Sequence, residues 1–479
     1  MPCVALGKGK FTFSVMEKVP LHVEVRLKPE ALGCTKSSLH EHVSLLLKSL
    51  QEIKTGVVNF GLAKDDYLDA HVERIFVCER ERSDGEEDGD EGSRLPLLFW
   101  QVDLVVHEYQ LSLDEPCEEV DGDEDIASFT EYYLPSVHFE GLWESLMFEE
   151  GGGVGGLGVK RQLMNYSRSA LLFSALGVDH NVIAWNRLIL LHGPPGTGKT
   201  SLCKALAHKL SVRHFSATFE KTSPEEQGDY PSGFRGEVNF SKLIEINAHS
   251  LFSKWFSESG KLVSKLFQQI RDLAELALDL DSGGQKSLVF VLIDEVESLA
   301  VARKQSIEGG EPSDGIRAVN ALLTQLDQLR QYPNVYVMCT SNVSDAIDEA
   351  FLDRADLKIH LGNPSVSARY SILGQGLNEM RRVGLISDAG VRALEEVPKE
   401  VREEWGKGCD SDGGYTDEEL LWKVCASLED ESGRQLRKLP FLCFSKCVRG
   451  TSCRLRDFLR SLLGMAATTA SPRGERMQE

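Results

Sequence analysis

The sequence predicts a parallel α/β core with a helical domain behind it and a small α+β domain in front of it. Three observations carry this reading. From Arg187 onward the short apolar runs Leu188 to Leu191, Leu243 to Ile246, Leu288 to Ile293 and Val335 to Met338 alternate with helical patterns, as parallel strands joined by crossing helices do. After about Leu361 the strand signals fade and amphipathic helical segments continue to Leu463. Ahead of Leu111, the alternating stretches Leu21 to Leu27 and Phe99 to Val106 accompany a helical stretch near Leu45 to Ile53.

With 479 residues the chain exceeds what one hydrophobic core organises, so several domains are expected. The composition, 42% hydrophobic and 27% charged, is that of an ordinary soluble globular protein. A net charge of -21 argues against tight sequence-independent binding to nucleic acid, although a local basic patch is compatible with it. The 11 cysteines contain no CxxC pair and fit reduced thiols in the cytosol or nucleus; Cys443, Cys447 and Cys453 cluster without nearby histidines and read as structural. Neither a signal peptide at Met1 to Phe11 nor an uninterrupted membrane-length apolar run is present, so a soluble, intracellular protein without membrane contact is expected.

Composition also sets the expected boundaries. Residues 1–112 form the α+β domain, interrupted by the acidic run Glu79 to Arg94, which reads as a flexible loop. Residues 113–160 read as an acidic and Gly-rich linker whose aromatics Tyr132, Tyr133, Phe139 and Trp143 dock onto the next domain, and whose Gly151 to Gly158 run breaks the chain before a helix. Residues 161–361 form the parallel-sheet domain, 362–465 a helical lid, and 466–479 a flexible tail.

The sharpest chemical signal is Gly193, Pro194, Pro195, Gly196, Thr197, Gly198, Lys199 and Thr200, followed by Ser201 and a helix, directly after the strand Leu188 to Leu191. Glycines let backbone N–H groups wrap phosphates, Lys199 reaches the β and γ oxygens of ATP, and Thr200 coordinates Mg²⁺ at a helix N-terminus that favours anions. The run Leu288 to Glu295 ends a buried strand in two carboxylates: Asp294 is placed for the Mg²⁺ shell and Glu295 as general base for the attacking water. Asn342, ending the run from Val335, is a candidate to hold that water; a helix cap for Val343 to Ala350 is an equal alternative.

The order of these motifs resembles the AAA+ ATPases, and most closely the pachytene checkpoint protein 2 family of the thyroid hormone receptor interactor type. The stretches that carry the resemblance are His249 to Val263, Val289 to Leu299 and Phe351 to Asp356, within a match from roughly Leu134 to Lys446. The resemblance implies an AAA+ P-loop NTPase core with a parallel sheet, a C-terminal helical lid and a small N-terminal α+β domain that recognises substrate or adaptor. It implies a homohexamer with ATP between neighbouring subunits, Arg354 as the arginine finger and Arg434 as a lid residue that senses nucleotide; surface ion pairs are the alternative for both. Lys254, Trp255 and Phe256 fall where the family places a pore-lining loop, with a core aromatic pair as the competing reading.

The function the resemblance implies is ATP-driven remodelling of HORMA-domain proteins, closed to open, with removal from meiotic chromosome axes. An adaptor often presents the substrate. Meiotic recombination, synapsis at the synaptonemal complex and checkpoint control would be the setting, in the nucleus on meiotic chromosomes and also in the cytoplasm. A different class of function, an ATP-regulated chromosome scaffold with little threading, also needs Lys199 but tolerates loss of Trp255. A nucleic-acid motor ranks third on charge, and no direct sequence-specific nucleic-acid contact is expected. The acidic insert, the Gly151 to Gly158 run and the polar stretch Thr218 to Glu237 exceed a compact family core and bear on partner choice.

Overall fold

The computed structural model describes residues 18–31, 35–50, 52–61, 65–78, 98–118, 129–148, 158–179, 182–214, 241–248, 259–279, 287–298, 313–343, 347, 349–387, 391, 392, 397, 401, 405 and 415–469. Lys254, Trp255 and Phe256, the Glu79 to Arg94 insert and the Thr218 to Glu237 stretch lie outside these described residues. The chain divides into two compact units, one of Met1–Leu111 with Val212–Asn239, the other of Ser112–Ser211 with Phe240–Glu479.

In the first unit, β1 (Val19–Leu27), α1 (Lys36–Ser49), β2 (Gly56–Val58), α2 (Asp66–His71), β3 (Val72–Val77) and β4 (Val102–Tyr109) build a four-stranded sheet in the order β2-β3-β1-β4. β1 pairs antiparallel with β3 and parallel with β4. Thr35 caps α1 by accepting the Ser38 N–H, and Leu39, Val43 and Leu47, spaced one turn apart, join Val23 and Val25 in one core. This corrects the expected helix near Leu45 to Ile53, which begins nine residues earlier, by the difference between Lys36 and Leu45, and ends at Ser49. It also trims the expected strand from Phe99, because Phe99–Gln101 is a 3₁₀ turn feeding β4.

The second unit contains β5 (Cys117–Glu118), β6 (Phe129–Leu134), α3 (Leu142–Ser145), α4 (Val159–Ala175), β7 (Leu188–His192), α5 (Lys199–His214, as far as Ser211), β8 (Ser241–Asn247), α6 (Ser259–Asp279), β9 (Val289–Asp294), α7 (Ser313–Leu329), β10 (Val335–Ser341), α8 (Glu349–Leu352) and β11 (Leu357–His360). Its seven-stranded sheet runs β11-β7-β10-β9-β8-β6-β5. β11, β7, β10, β9 and β8 are parallel, and β6 closes that edge antiparallel to β8. Burial of both faces explains the continuous apolar runs of β7, β9 and β10. Alternate residues divide between two cores. Leu190, Val291 and Val337 pack under α6 and α7, while Ile189, Leu191, Leu292 and Met338 pack under α4 and α5.

Two expectations need correction here. The stretch expected to be a linker contributes β6 to the sheet, with Tyr132 beside Leu243 and Glu131 paired to Lys242 at 2.7 Å. Its acidic and aromatic residues read as non-core because a strand near the end of the sheet, partnered on its outer side only by the two residues of β5, can satisfy its polar side chains with ion pairs. The first residues of the tail expected to be flexible, Ala466 to Thr469, are instead the end of a helix, with Ala466 buried against the lid core; residues 470–479 lie outside the described residues.

The lid, within the same unit, consists of α9 (Val366–Arg382), α10 (Asp417–Ala426), α11 (Gly433–Cys447) and α12 (Leu455–Thr469). Capping boxes start α10 at Thr416 and Glu419 and α11 at Ser432 and Gln435. Tyr370, Trp405 and Trp422 stack at its centre, with ring centroids 5.6 to 6.1 Å apart.

Candidate functional site

The strand order sets the site. β10 lies between β7 and β9, and the parallel register places Ser341 beside His192 and Cys339 beside Ile293, so all three strands deliver their carboxyl ends to one edge. Open parallel sheets bind ligands at that edge, where connections leave in opposite directions.

The loop from Gly193 to Gly198 leaves β7 with positive φ at Gly193 (140°), Gly196 (81°) and Gly198 (97°). Space, as well as conformation, demands glycine at two of these. A Cβ on Gly193 would stand 2.2 Å from the Leu361 carbonyl oxygen, and one on Gly196 would stand 2.8 Å from Ser432 Oγ. The Gly193 N–H donates to Ser341 O at 3.2 Å, and the Leu202 N–H reaches Gly198 O at 2.8 Å to open α5. Thr197 Oγ1 donates to Pro194 O at 3.0 Å and stiffens the turn.

Lys199 folds its ammonium back over this loop, donating to Gly193 O and Pro194 O at 2.8 Å each. Burial lowers its pKa from the ordinary lysine value, and Arg434 adds to that, while Glu297 and Asp294 oppose it. A small concave loop, bare backbone, a helix N-terminus and one buried cation fit a phosphate chain and leave no room for side chains in its place.

Across from the loop, Thr200 Oγ1 donates to Asp294 Oδ1 at 3.0 Å, and Thr340 Oγ1 hydrogen-bonds the same oxygen. A hydroxyl and a carboxylate are hard oxygen donors, the set that Mg²⁺ takes together with phosphate oxygens. Glu295 is the next residue, with φ of 61°, a left-handed conformation uncommon for glutamate. It is held there by its own N–H to Thr340 Oγ1 at 3.3 Å and by Ser298 donating N–H and Oγ to its carbonyl at 3.1 and 2.9 Å. The chain thus turns sharply at the end of β9 and leaves the Glu295 side chain exposed at the site edge.

Asn342 donates Nδ2 to Glu297 Oε1 at 2.9 Å and so joins the carboxylate cluster; residues 344–346 and 348 of the stretch Val343 to Ala350 that it could cap lie outside the described residues. Arg434 reaches the site from the lid: its N–H donates to Gly196 O at 3.1 Å, and its Cβ would stand 3.3 Å from a Cβ on Gly196. Arg354 is placed differently. Its Nε and Nη2 hold Asp327 of α7 bidentate at 2.9 and 2.8 Å, and Nη1 donates to Ala350 O at 2.7 Å. The backbone around it is pinned, because Asn186 Nδ2 donates to Arg354 O at 2.7 Å and Asp356 accepts the N–H groups of Asn186 and Arg187 and the Tyr166 hydroxyl.

The structure therefore brings together Gly193 to Ser201, Asp294, Glu295, Asn342 and Arg434, and gives Arg354 a separate ion-paired station. Sequence reasoning missed Glu297, which the spacing Asp294-Glu-Val-Glu could have offered, and Thr340, at the end of β10. It also missed Leu361, which acts through a backbone carbonyl and leaves no local signal, and Ser432, which the helix-cap spacing Ser432 to Gln435 could have offered.

Models of known families match the chain in three consecutive pieces. The ATPase family associated with various cellular activities (AAA) matches residues 189–363, the TRIP13 N-terminal domain 16–114, and the TRIP13-like AAA+ ATPase lid C-terminal domain 365–470. A pachytene checkpoint protein 2 homolog from Arabidopsis thaliana is 42% identical over 480 residues, 99% of this chain and 91% of that protein. One from Oryza sativa subsp. indica is 45% identical over 406 residues, 84% of this chain and 77% of that protein. Among solved structures, that of C. elegans PCH-2 superposes with a TM-score of 0.64 at 33% identity, covering 95% of this chain and 100% of that one.

Proposed function

The chain belongs to the pachytene checkpoint protein 2 family and is an AAA+ ATPase, and from that premise we propose that it works as a homohexamer that remodels HORMA-domain proteins. The observation that carries the ATPase reading to particular residues is the glycine loop that excludes a Cβ at Gly193 and Gly196, facing Asp294 and Glu295 two strands away.

In this reading the loop amides and Lys199 bind the phosphates of ATP, and Thr200 and Asp294 hold Mg²⁺, which supplies positive charge beside the transferring phosphoryl group. Glu295, held outward by its left-handed backbone, accepts the proton of the attacking water. Asn342, fastened to Glu297, orients that water. Arg434 reports nucleotide to the lid through its contact with Gly196. Arg354 serves a neighbouring subunit's nucleotide, which requires its guanidinium to exchange Asp327 for phosphate.

Lys254, Trp255 and Phe256 grip the substrate chain, a large apolar area with few rotatable bonds suiting a handle indifferent to sequence. The substrate is a HORMA-domain protein, presented by an adaptor, in the nucleus on meiotic chromosomes and also in the cytoplasm; its support is the family membership.

Two measurements test this. Light scattering of the Glu295→Gln protein with ATP is expected to give six times the chain mass, and wild type is expected to convert closed HORMA-domain protein to the open form only with ATP. A ring that hydrolyses ATP yet leaves the HORMA-domain protein closed, adaptor present, would replace remodelling by the scaffold reading.

A further inference from the structure

Segment 129–148, a linker by composition, is fastened along α5 turn by turn. Lys204 of α5 holds both carboxylate oxygens of Glu245 on β8 at 2.7 Å. Tyr132 donates its hydroxyl to the same carboxylate at 3.3 Å, and its ring lies under the Lys204 ammonium, 5.6 Å from ammonium to centroid. One turn further along α5, the Ser136 N–H donates to His208 Nδ1 at 3.3 Å. The adjacent Lys209 pairs with Glu144 at 2.9 Å.

The segment then reaches the phosphate loop itself. A Cβ on Gly198 would stand 3.6 Å from Leu146 Cδ2 and 3.8 Å from Phe148 Cζ. It also reaches the lid, where Arg437 of α11 donates to Ser145 O at 2.7 Å. Several of these ties are well shielded from water: Lys209 is 4% exposed and His208 6%. Burial alone would raise the pKa of Glu144, yet the Lys209 ammonium outweighs it and the net shift is downward, so this ion pair is intact at neutral pH. Breaking such a pair leaves a buried cation uncompensated, so the tie is costly to release.

The segment thus joins α5, through Tyr132, Ser136 and Glu144, to the phosphate loop at Gly198 and to the lid at Arg437. We infer that segment 129–148 is a coupling strap in which Tyr132, Ser136 and Glu144 are positioning residues for α5, transmitting between the phosphate loop and the lid. The inference rests on the reading of that loop as the nucleotide site. None of the strap residues touches the reacting groups; they act through α5.

Hydrogen exchange of the full-length Glu295→Gln protein, with and without ATP, tests it. Peptides covering 129–148 are expected to exchange about fivefold more slowly with ATP. Adding Tyr132→Phe and Glu144→Gln is expected to reduce that response below about twofold while the N-terminal turn of α5 keeps its own protection, a split that simple structural packing does not produce. The charge reversal Glu144→Lys with Lys209→Glu is expected to restore it, and thermal melts verify that each variant is folded. Strap peptides that ignore ATP while α5 is protected, or a variant that keeps the full response, would overturn the inference alone. Failure of ATP to protect α5 would remove the nucleotide reading and the strap with it.

Discussion

Lys199 and Lys204 stand on the same helix and meet different edges of the same sheet. Lys199 is buried over a loop of backbone, its ammonium on two carbonyls of the Gly193–Gly198 turn. Lys204 is partly exposed and meets side chains, the carboxylate of Glu245 and the ring of Tyr132. The first edge is made by conformation: positive φ at three glycines, a left-handed Glu295 and the Thr200 and Thr340 hydroxyls that tie α5 and β10 to Asp294. The second is made by charge pairing across an antiparallel strand. Chemistry that must approach a phosphate closely demands bare backbone, whereas a junction between elements can be built from ion pairs and then tuned or released.

The largest expected effect separates the two lysines directly. Lys199→Met is expected to lower kcat/KM for ATP by about a thousandfold or more, because a cation aimed at developing charge is lost. Lys204→Met is expected to keep basal kcat/KM within about twofold, since the group it loses pairs with Glu245 and not with the phosphate loop. Comparable losses in both would erase the distinction.

Glycines give the next test. Gly193→Ala must push a Cβ against the Leu361 carbonyl at 2.2 Å, whereas at Gly198 the nearest atoms, on Leu146 and Phe148, are 3.6 Å or more away. Chemical denaturation is expected to show a loss of about 3 kcal/mol or more for Gly193→Ala, and about 1 kcal/mol, from φ alone, for Gly198→Ala. Equal losses would mean that the close approach to Leu361 is not what requires glycine.

A third prediction concerns pH. Burial, helped by Lys209 and opposed by Glu144, pushes the His208 pKa down from 6.5 to about 4. A base whose folded pKa is depressed binds its proton more readily in the unfolded chain, so stability is fully present above pH 6.5 and is lost as pH falls toward about 4. The loss expected from this group is about 3 kcal/mol. Urea unfolding between pH 7 and 4 reads it, and His208→Gln should flatten that part of the profile. A wild-type profile already flat over this range contradicts the buried neutral imidazole.

The smallest effect is at the strap's far end. Tyr132→Phe removes one hydroxyl from Glu245 and is expected to cost about 0.5 to 1 kcal/mol of stability without changing basal ATP turnover. A large fall in turnover would make Tyr132 part of the catalytic edge rather than of the junction.

The same comparison accounts for what was legible. β7, β9 and β10 are covered on both faces, so Leu188 to His192, Val289 to Asp294 and Val335 to Ser341 show as apolar runs that end where the chemistry begins. Gly193 to Thr200 is readable because bare backbone has no substitute there. β6 lies near the end of the sheet, between β8 and the two-residue β5, and its Glu131 and Tyr132 meet Lys242 and Glu245; a strand satisfied by polar pairing carries no continuous apolar run. Ala466 looks like tail for a related reason: a small residue at the end of α12 gives little periodicity, yet it packs into the lid core. The station of Arg354 on Asp327 depends on the turn after α8 and the helix α7 being brought together by tertiary structure, which no local pattern encodes.

The most direct test of nucleotide-driven remodelling is steady-state ATP hydrolysis by full-length wild-type, Glu295→Gln and Trp255→Ala proteins, titrated with a closed HORMA-domain protein and its adaptor. The prediction is that substrate stimulates wild type, that Glu295→Gln binds ATP but falls by about a hundredfold or more in turnover, and that Trp255→Ala keeps basal turnover while losing the stimulation. Turnover by Glu295→Gln at the wild-type rate would contradict the placement of the catalytic base at the end of β9. Full stimulation of Trp255→Ala would contradict threading.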